Sequence, residues 1–377
     1  MKIGIDARLW GPSNGGLGRY VAELVAALQI LDRKHEYVIF LRRNNFSACP
    51  LDLAAPNFTK VVADIPWYGW KEQLALTPLI KRARVDLMHF PHWNVPFSYH
   101  DPFVVTVHDL IMYHYPRAEA STLGPVGYWC KDKAARLVIR HAVRGARRIL
   151  TTSEFTRRDI HETLGVPSGK MTVAYQAPAT FRSPDAGASF SAPAARSAEM
   201  PYVLYVGSAY PHKNLSGLLR AWQIFSKKRG ASWRLVLAGR EDFFYRQLKE
   251  SAAAKALPNL EMLGFVSDRE LPALYANASA YVFPSLYEGF GLPPLEAMRY
   301  GVPVAAADRA CLPEVLGDAA VYFNPEDDRE LAETIDKLLT DEPLRRRLKE
   351  RGQERLKQYS WGRLAEITRQ VYDQALK

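Results

Sequence analysis

The sequence predicts an α/β protein made of two doubly wound parallel sheets, and three observations carry that expectation. Short apolar, β-branched runs such as Lys2–Asp6 and Tyr202–Val206 alternate with amphipathic helical stretches along the chain, the pattern of a parallel sheet with helices on both faces. A Pro-, Ala-, Ser- and Gly-rich segment over 176–200 interrupts the alternation, which then restarts. The length of 377 residues suits two domains, each large enough for its own core.

In chain order, Lys2–Asp6 is the first buried strand. Gly11 to Tyr20, with Gly15 and Gly16, reads as a glycine loop leading into a helix through about Leu28. Further strands are predicted at 37–41, 59–62, Leu87–Phe90, Phe103–Val107, 148–152 and 171–174. The segment 176–200 reads as a linker or mobile loop. The second half continues with strand Tyr202–Val206, helix 215–227, strand Arg234–Ala238, helix 243–253, strand 260–263 and helix 268–277. Strands 281–283, Val304–Ala307 and Ala320–Phe323 and helices 329–339 and 344–358 complete it. An amphipathic stretch, Trp361–Ala375, presents Leu364, Ile367, Val371 and Tyr372 to a core. The expected domains are 1–180, 201–360 and a terminal helix over 361–377. Two such sheets facing each other would form a cleft at the carboxyl ends of their strands.

The net charge of +10 is uneven. Residues 1–180 carry +8 and the remainder +2, and eight of nine histidines precede residue 180. No apolar run approaches the ~20 residues that span a bilayer. Asp6 and Arg8 interrupt any signal-peptide pattern. The three cysteines are widely spaced, which excludes a CxxC zinc site and suggests a reducing compartment. The expected location is cytoplasmic, peripheral on the inner face of the membrane.

The most informative stretch is 281–302. An apolar strand, Tyr281-Val282-Phe283, runs into a loop with Gly289 and Gly291, then into a helix whose first positions suit Pro293 and Pro294. Strand, glycine loop and helix N-terminus direct unpaired N–H groups and a positive dipole end at one spot, which favours an anion. Glu288 precedes the glycines, and Glu296 is expected in the first helical turn. Paired carboxylates also fit a glycosidase, and an acid in a first turn also serves the helix dipole, worth about 0.3–1 kcal/mol. Only a diphosphate explains why glycine N–H groups and a lysine converge. That lysine is Lys213, in Gly207-Ser-Ala-Tyr-Pro-His-Lys-Asn214, with Asn214 as the expected N-cap; taken alone, Lys213 reads first as a solvated surface residue, since lysines are mostly exposed. His108 follows a strand in Val105-Thr-Val-His-Asp109, where it suits a hydroxyl or phosphate contact or a bond to a backbone carbonyl.

Together these segments resemble the retaining glycosyltransferases of family 4. The carriers are Glu288-Gly-Phe-Gly-Leu-Pro-Pro-Leu-Glu296, Gly207 with Lys213-Asn214, Leu237-Ala-Gly-Arg240, Gly264-Phe-Val-Ser-Asp-Arg-Glu-Leu271, Gly15-Gly16, Val107-His108-Asp109 and Thr152-Ser153-Glu154-Phe155. The resemblance implies the two-domain GT-B fold and a nucleotide-sugar donor, with no cofactor and no required metal. It implies that Glu288 and the backbone of Gly289, Phe290 and Gly291, beside Leu292, hold the donor sugar, and that Glu296 holds the ribose. Lys213 would neutralise the diphosphate, Arg240 and Val266 would face the base, and His108 would touch sugar and diphosphate. Gly15 and Gly16 would close over the phosphates, and the last helix would cross back to the first domain. Where many relatives have arginines, this chain has Ser208 and His212, so charge at the diphosphate rests on Lys213 and the helix end.

The resemblance also implies the leading function, transfer of a hexose, best read as mannose from GDP-mannose, to a lipid-linked saccharide or surface-polysaccharide precursor. Other readings are a UDP-hexose or rhamnose donor, a nucleotide-sugar epimerase or hydrolase, and a binding protein without turnover. On the acceptor side, Lys133, Arg136, Arg140 and Arg144 fall near one helical face, with Trp67, Tyr68, Trp70 and Trp93 in nearby segments. Basic residues with aromatics suit an anionic membrane or a plain solvated face; no nucleic-acid motif accompanies them.

Overall fold

The computed structural model describes residues 1–51, 55–116, 124–179, 200–230, 232–254, 257 and 259–377. Most of the predicted linker, 180–199, lies outside the described residues. The chain divides into two compact units, Met1–Gln176 with Ser360–Lys377, and Ala177–Tyr359.

The first unit contains strands β1 (Lys2–Asp6), β2 (Glu36–Leu41), β3 (Phe58–Val62), β4 (Leu87–Phe90), β5 (Phe103–Val107), β6 (Arg148–Thr151) and β7 (Met171–Val173). They pair in parallel in the order β3-β2-β1-β4-β5-β6-β7. Its helices are α1 (Gly15–Leu31), α2 (Arg43–Phe46), α3 (Trp70–Ala83), α4 (Ile111–His114), α5 (Gly124–Gly145) and α6 (Glu154–Leu164). Strand side chains alternate between the two faces. Ile3, Ile5, Tyr37, Ile39 and Leu41 pack under α1, in one core cluster with Leu364, Val371 and Tyr372 of the terminal helix. Val38, Phe40, Met88, Phe90 and Val105 pack on the other face with Leu76 and Ile80 of α3 and Ile139 and Val143 of α5. The terminal helix is seated by chemistry as well as packing: the buried Tyr372 hydroxyl lies 2.7 Å from His89 Nδ1.

The second unit contains β8 (Tyr202–Val206), β9 (Arg234–Ala238), β10 (Leu260–Gly264), β11 (Ala280–Phe283), β12 (Val304–Ala307) and β13 (Ala320–Phe323). All are parallel, in the order β10-β9-β8-β11-β12-β13. Its helices are α7 (Leu215–Arg229), α8 (Phe243–Ala254), α9 (Leu271–Ala276), α10 (Leu292–Arg299), α11 (Leu312–Leu316), α12 (Asp328–Thr340) and α13 (Glu342–Leu356), and α14 (Trp361–Ala375) closes the chain in the first unit. Predicted strands and observed ones differ by a residue or so at their ends; the short α11 was not expected.

Three local expectations need correction. Gly15 and Gly16 do not form a free loop: they are the first two residues of α1, with Gly15 at φ 63°. Asn214 stands at the N-cap of α7 in a left-handed conformation (φ 54°), but its side chain makes no cap; the amide instead donates to the Pro325 carbonyl at 2.7 Å. Trp93 is not a surface aromatic; it is buried among Phe90, Val95 and Tyr99.

Candidate functional site

In an open parallel sheet the winding direction reverses at one place, and the loops leaving the two strands there diverge and open a crevice. In the second unit this switch lies between β8 and β11. The loops after these strands meet through one ion pair, with Lys213 Nζ donating to Glu288 Oε1 at 2.5 Å. Side-chain exposures of 16 % for Lys213 and 8 % for Glu288 make this a largely dry pair. The ammonium also lies 5.4 Å from the centroid of the Phe283 ring, close enough for cation–π attraction. Backbone pairing reinforces the contact, because Leu286 N–H donates to the His212 carbonyl at 2.7 Å. His212 itself is buried beside Tyr210, with ring centroids 6.0 Å apart.

Glycines let these loops pass close to one another. A Cβ on Gly239, after β9, would sit 2.0 Å from the Gly207 carbonyl oxygen, so only glycine fits there. Gly291 caps α10 at φ 87°, a conformation that any other residue adopts only with strain. Phe290 turns its ring inward, edge-on to Tyr359 at 5.5 Å. Glu288, Gly289, Phe290 and Gly291 are all buried.

Glu296 is not in the first helical turn. α10 begins at Leu292, which makes Glu296 its fifth residue. What positions its carboxylate is the Tyr275 hydroxyl of α9, which donates to Oε2 at 2.9 Å. Tyr275 is in turn stacked on Tyr300 at 5.8 Å. Of the other expected contacts, Ser208 accepts the Tyr205 hydroxyl on its carbonyl at 2.7 Å. Arg240 is exposed after β9, and Val266 is half-buried after β10. Next to Val266, Phe265 is 76 % exposed. Among the described residues no group of three His, Cys, Asp or Glu side chains is arranged to hold a metal.

In the first unit His108 is buried at the end of β5. Its Nε2 donates to the Pro91 carbonyl at 2.8 Å, so Nδ1 carries the lone pair and accepts from the Gln176 amide at 3.2 Å. Burial pushes this imidazole down to about 4, so it is neutral. Any sugar contact through a ring nitrogen of His108 therefore exchanges one of these bonds.

Two family models match the chain, Glycosyltransferase Family 4 over residues 14–177 and Glycosyl transferases group 1 over residues 190–355. O-antigen chain mannosyltransferase B of Escherichia coli is 30% identical over 366 residues, which cover 92% of each chain. O-antigen chain mannosyltransferase RfbU of Salmonella typhimurium is 28% identical over 271 residues, 72% of this chain and 70% of that one. In fold, the chain is similar to sucrose-phosphate synthase from Thermosynechococcus elongatus, with a TM-score of 0.75 over 99% of this chain and 98% of that one at 20% identity. The chain belongs to glycosyltransferase family 4. Its fold is GT-B, and it is a glycosyltransferase.

Within this glycosyltransferase the predicted residues separate into two groups. Ser208, His212, Lys213, Glu288, Gly289, Phe290, Gly291 and Leu292 fall on loops or helix starts of the second unit, Glu296 lies further along α10, and one ion pair joins Lys213 to Glu288 directly. His108, Gly15 and Gly16 belong to the first unit. Sequence reasoning missed a polar cluster there: Asp6, Arg8, Glu72, His92 and Asn94, linked by buried hydrogen bonds. The available signal was the charged pair Asp6 and Arg8 just after a strand, and His92-Trp-Asn94 just after another.

Proposed function

We propose that this enzyme transfers mannose from GDP-mannose, with retention at the anomeric carbon, to a lipid-linked saccharide or growing surface polysaccharide. The observation that carries the reading is the 30% identity, over 92% of both chains, to an O-antigen chain mannosyltransferase. The geometry of the second unit supports it. Lys213, beside the Gly291 and Leu292 N–H groups that lead into α10 (Pro293 and Pro294 carry none), would supply positive charge to a departing diphosphate, and preorganised charge of this kind is the largest catalytic term for such a leaving group. No metal is required in this scheme. Glu288 would exchange its bond to Lys213 for donor-sugar hydroxyls, and Glu296, held by Tyr275, would take the ribose. The acceptor attacks on the face the diphosphate leaves.

The test is a mass-spectrometric screen of GDP-mannose, UDP-hexoses and a rhamnose nucleotide with a membrane extract as acceptor source. The expected result is GDP release that depends on the extract, with one hexose added to an α-linked product. Transfer from another nucleotide sugar, or GDP release without acceptor, refutes it.

Peripheral attachment to an anionic membrane is part of the same proposal. On α5, Val126, Trp129 and Leu137 are 77%, 60% and 57% exposed, at spacings that place them on one stripe with Lys133, Arg140 and Arg144. Lys133 Nζ sits 5.8 Å from the Trp129 ring. Arg136 is withdrawn from that stripe, bonded to Asp132 at 2.6 Å and lying over Tyr113. No described helix is long and apolar enough to cross a membrane. Flotation with anionic vesicles at low salt checks this, and protein that stays out of the vesicle fraction refutes it.

A further inference from the structure

The sheet of the first unit also has a switch point, between β1 and β4. The polar cluster sits at the carboxyl ends of those two strands, where Asp6 ends β1 and His92 follows β4 by two residues.

The cluster can be followed bond by bond from the core outward. Arg8 is fully buried. Its Nε and Nη2 donate to the two oxygens of Asp6, each at 2.7 Å, and Nη2 also donates to Glu72 Oε1 at 2.6 Å. Glu72 accepts two more bonds, from the Tyr68 backbone N–H at 2.9 Å and from Asn94 Nδ2 at 2.7 Å. Every partner of this carboxylate is a donor. The Asn94 amide nitrogen is thereby committed, so its Oδ1 faces His92 Nδ1 at 3.0 Å. An amide oxygen only accepts, so the proton of a neutral His92 is on Nδ1 and Nε2 is left as a bare lone pair. Burial and the neighbouring His108 push the His92 imidazole down to about 3, which keeps it neutral. Nε2 has no hydrogen-bond partner among the described residues, and the residue keeps 8 % exposure.

Beside the His92 ring stands Tyr68. Its ring meets His92 edge-on at 6.0 Å and lies 5.5 Å from Trp93. Tyr68 is 57% exposed and takes a left-handed backbone conformation, φ 59°, which costs a non-glycine residue about 1–3 kcal/mol. The bond from its N–H to Glu72 holds it there. An open acceptor backed by carboxylates repels an anion and selects a hydroxyl donor. An exposed aromatic ring next to it suits an apolar C–H face. A saccharide presents both.

We propose that Tyr68, His92 and Asn94 form a saccharide subsite, in which His92 Nε2 accepts a hydrogen bond from a sugar hydroxyl and the Tyr68 ring packs on a sugar face. The Asp6–Arg8–Glu72 group is its positioning frame, since it orients the Asn94 amide and so selects the His92 tautomer. His92 recognises the hydroxyl and does not deprotonate it, because so weak a base holds no proton near neutrality. The inference rests on the transfer reading only in naming this sugar the acceptor.

The experiment is nitrogen NMR of the histidine-labelled full chain, titrated with methyl α-mannoside, methyl α-glucoside and mannobiose, followed by kinetics of His92→Phe, His92→Gln and Tyr68→Ala. The expected spectrum shows His92 protonated on Nδ1 and His108 on Nε2, with His92 Nε2 shifted by at least one saccharide. In transfer assays H92F and Y68A should raise the acceptor KM about 10-fold, a loss of ~1.4 kcal/mol, and leave the donor KM within two-fold. H92Q, whose amide oxygen can replace Nε2, should recover most of the loss. A His92 protonated on Nε2, a resonance unmoved by all three sugars, or equal losses for donor and acceptor in the exposed-site variant Y68A would overturn the proposal. If the wild-type chain transfers nothing while a saccharide still shifts His92, the transfer reading falls and the subsite stands.

Discussion

Replacing Lys213 by alanine tests the reading of the second unit most directly. In the resting chain Lys213 neutralises Glu288 across 2.5 Å, and both side chains are more than four-fifths buried. The substitution therefore does two things. It removes the positive charge proposed to meet the diphosphate, and it leaves a buried carboxylate beside the place the diphosphate would occupy. The first loss is worth ~2.7–4 kcal/mol at a developing anion, or roughly 10²–10³ in kcat. For the second, two like charges about 5 Å apart repel by ~3 kcal/mol at an effective dielectric of ~20, before solvent and ions reduce it. GDP, which lacks the sugar, isolates the phosphate contribution. By calorimetry, K213A should bind GDP about 100-fold more weakly than wild type, and the double variant K213A/E288Q should regain about ten-fold. GDP binding by K213A within about three-fold of wild type, or no recovery on removing the carboxylate in the double variant, would show that Lys213 does not hold the phosphates.

Tyr275→Phe removes the hydroxyl that holds Glu296. Steady-state kinetics should show the donor KM rising about 5–10-fold at unchanged kcat, the worth of one hydrogen bond of ~1–1.5 kcal/mol; an unchanged KM would sever Glu296 from donor binding. Arg8→Met strands the buried Asp6 and Glu72 carboxylates, so urea unfolding should show the first unit ~3–5 kcal/mol less stable; a loss below 1 kcal/mol would mean that water already reaches the pair. Burial pushes His89 and His92 down to about 3 and His108 to about 4. Folded values below the unfolded ~6.5 mean that the unfolded chain binds more protons, so this stability is complete above about pH 6.5 and is lost as the pH falls toward 4. Lowering the pH from 8 to 5.5 should cost the first unit roughly 4 kcal/mol, about 1.4 per histidine; a flat urea midpoint across that range would show that the three rings are hydrated. Trp129→Glu with Leu137→Glu should abolish anionic-vesicle flotation, and unchanged flotation would move the contact off α5.

The sheets were legible because buried parallel strands are continuous apolar runs separated by helical periods, and that signal is local. The loop between β11 and α10 was legible for a similar reason: Gly289, Gly291, Pro293 and Pro294 state their backbone roles within a few positions. Errors arose where a side chain had a choice of distant partners. Asn214 has the composition of a cap, yet the Pro325 carbonyl offers its amide a better bond. Glu296 reads as a first-turn acid, but the helix starts one residue early, at Leu292, and a tyrosine from α9 takes the carboxylate. Trp93 reads as a surface aromatic because nothing near it in sequence shows that α3 and β4 enclose it.

The sequence alone determined the two α/β units, the strand–glycine–helix stretch from Tyr281 to Val302, and the family to which these motifs belong. All of these depend on backbone preferences and hydrophobic period, which neighbouring residues set. Tertiary structure alone decided that Lys213 is held by Glu288, 75 residues away, and that His108 is a neutral ring with both nitrogens engaged. It alone brought Arg8, Glu72 and Asn94 together, although they are spread over nearly 90 positions. The physical reason is the same in each case. A charge or a tautomer is fixed by whichever partner lies within about 3 Å in a dry place, and in a parallel sheet the strand order brings such partners together from remote parts of the chain.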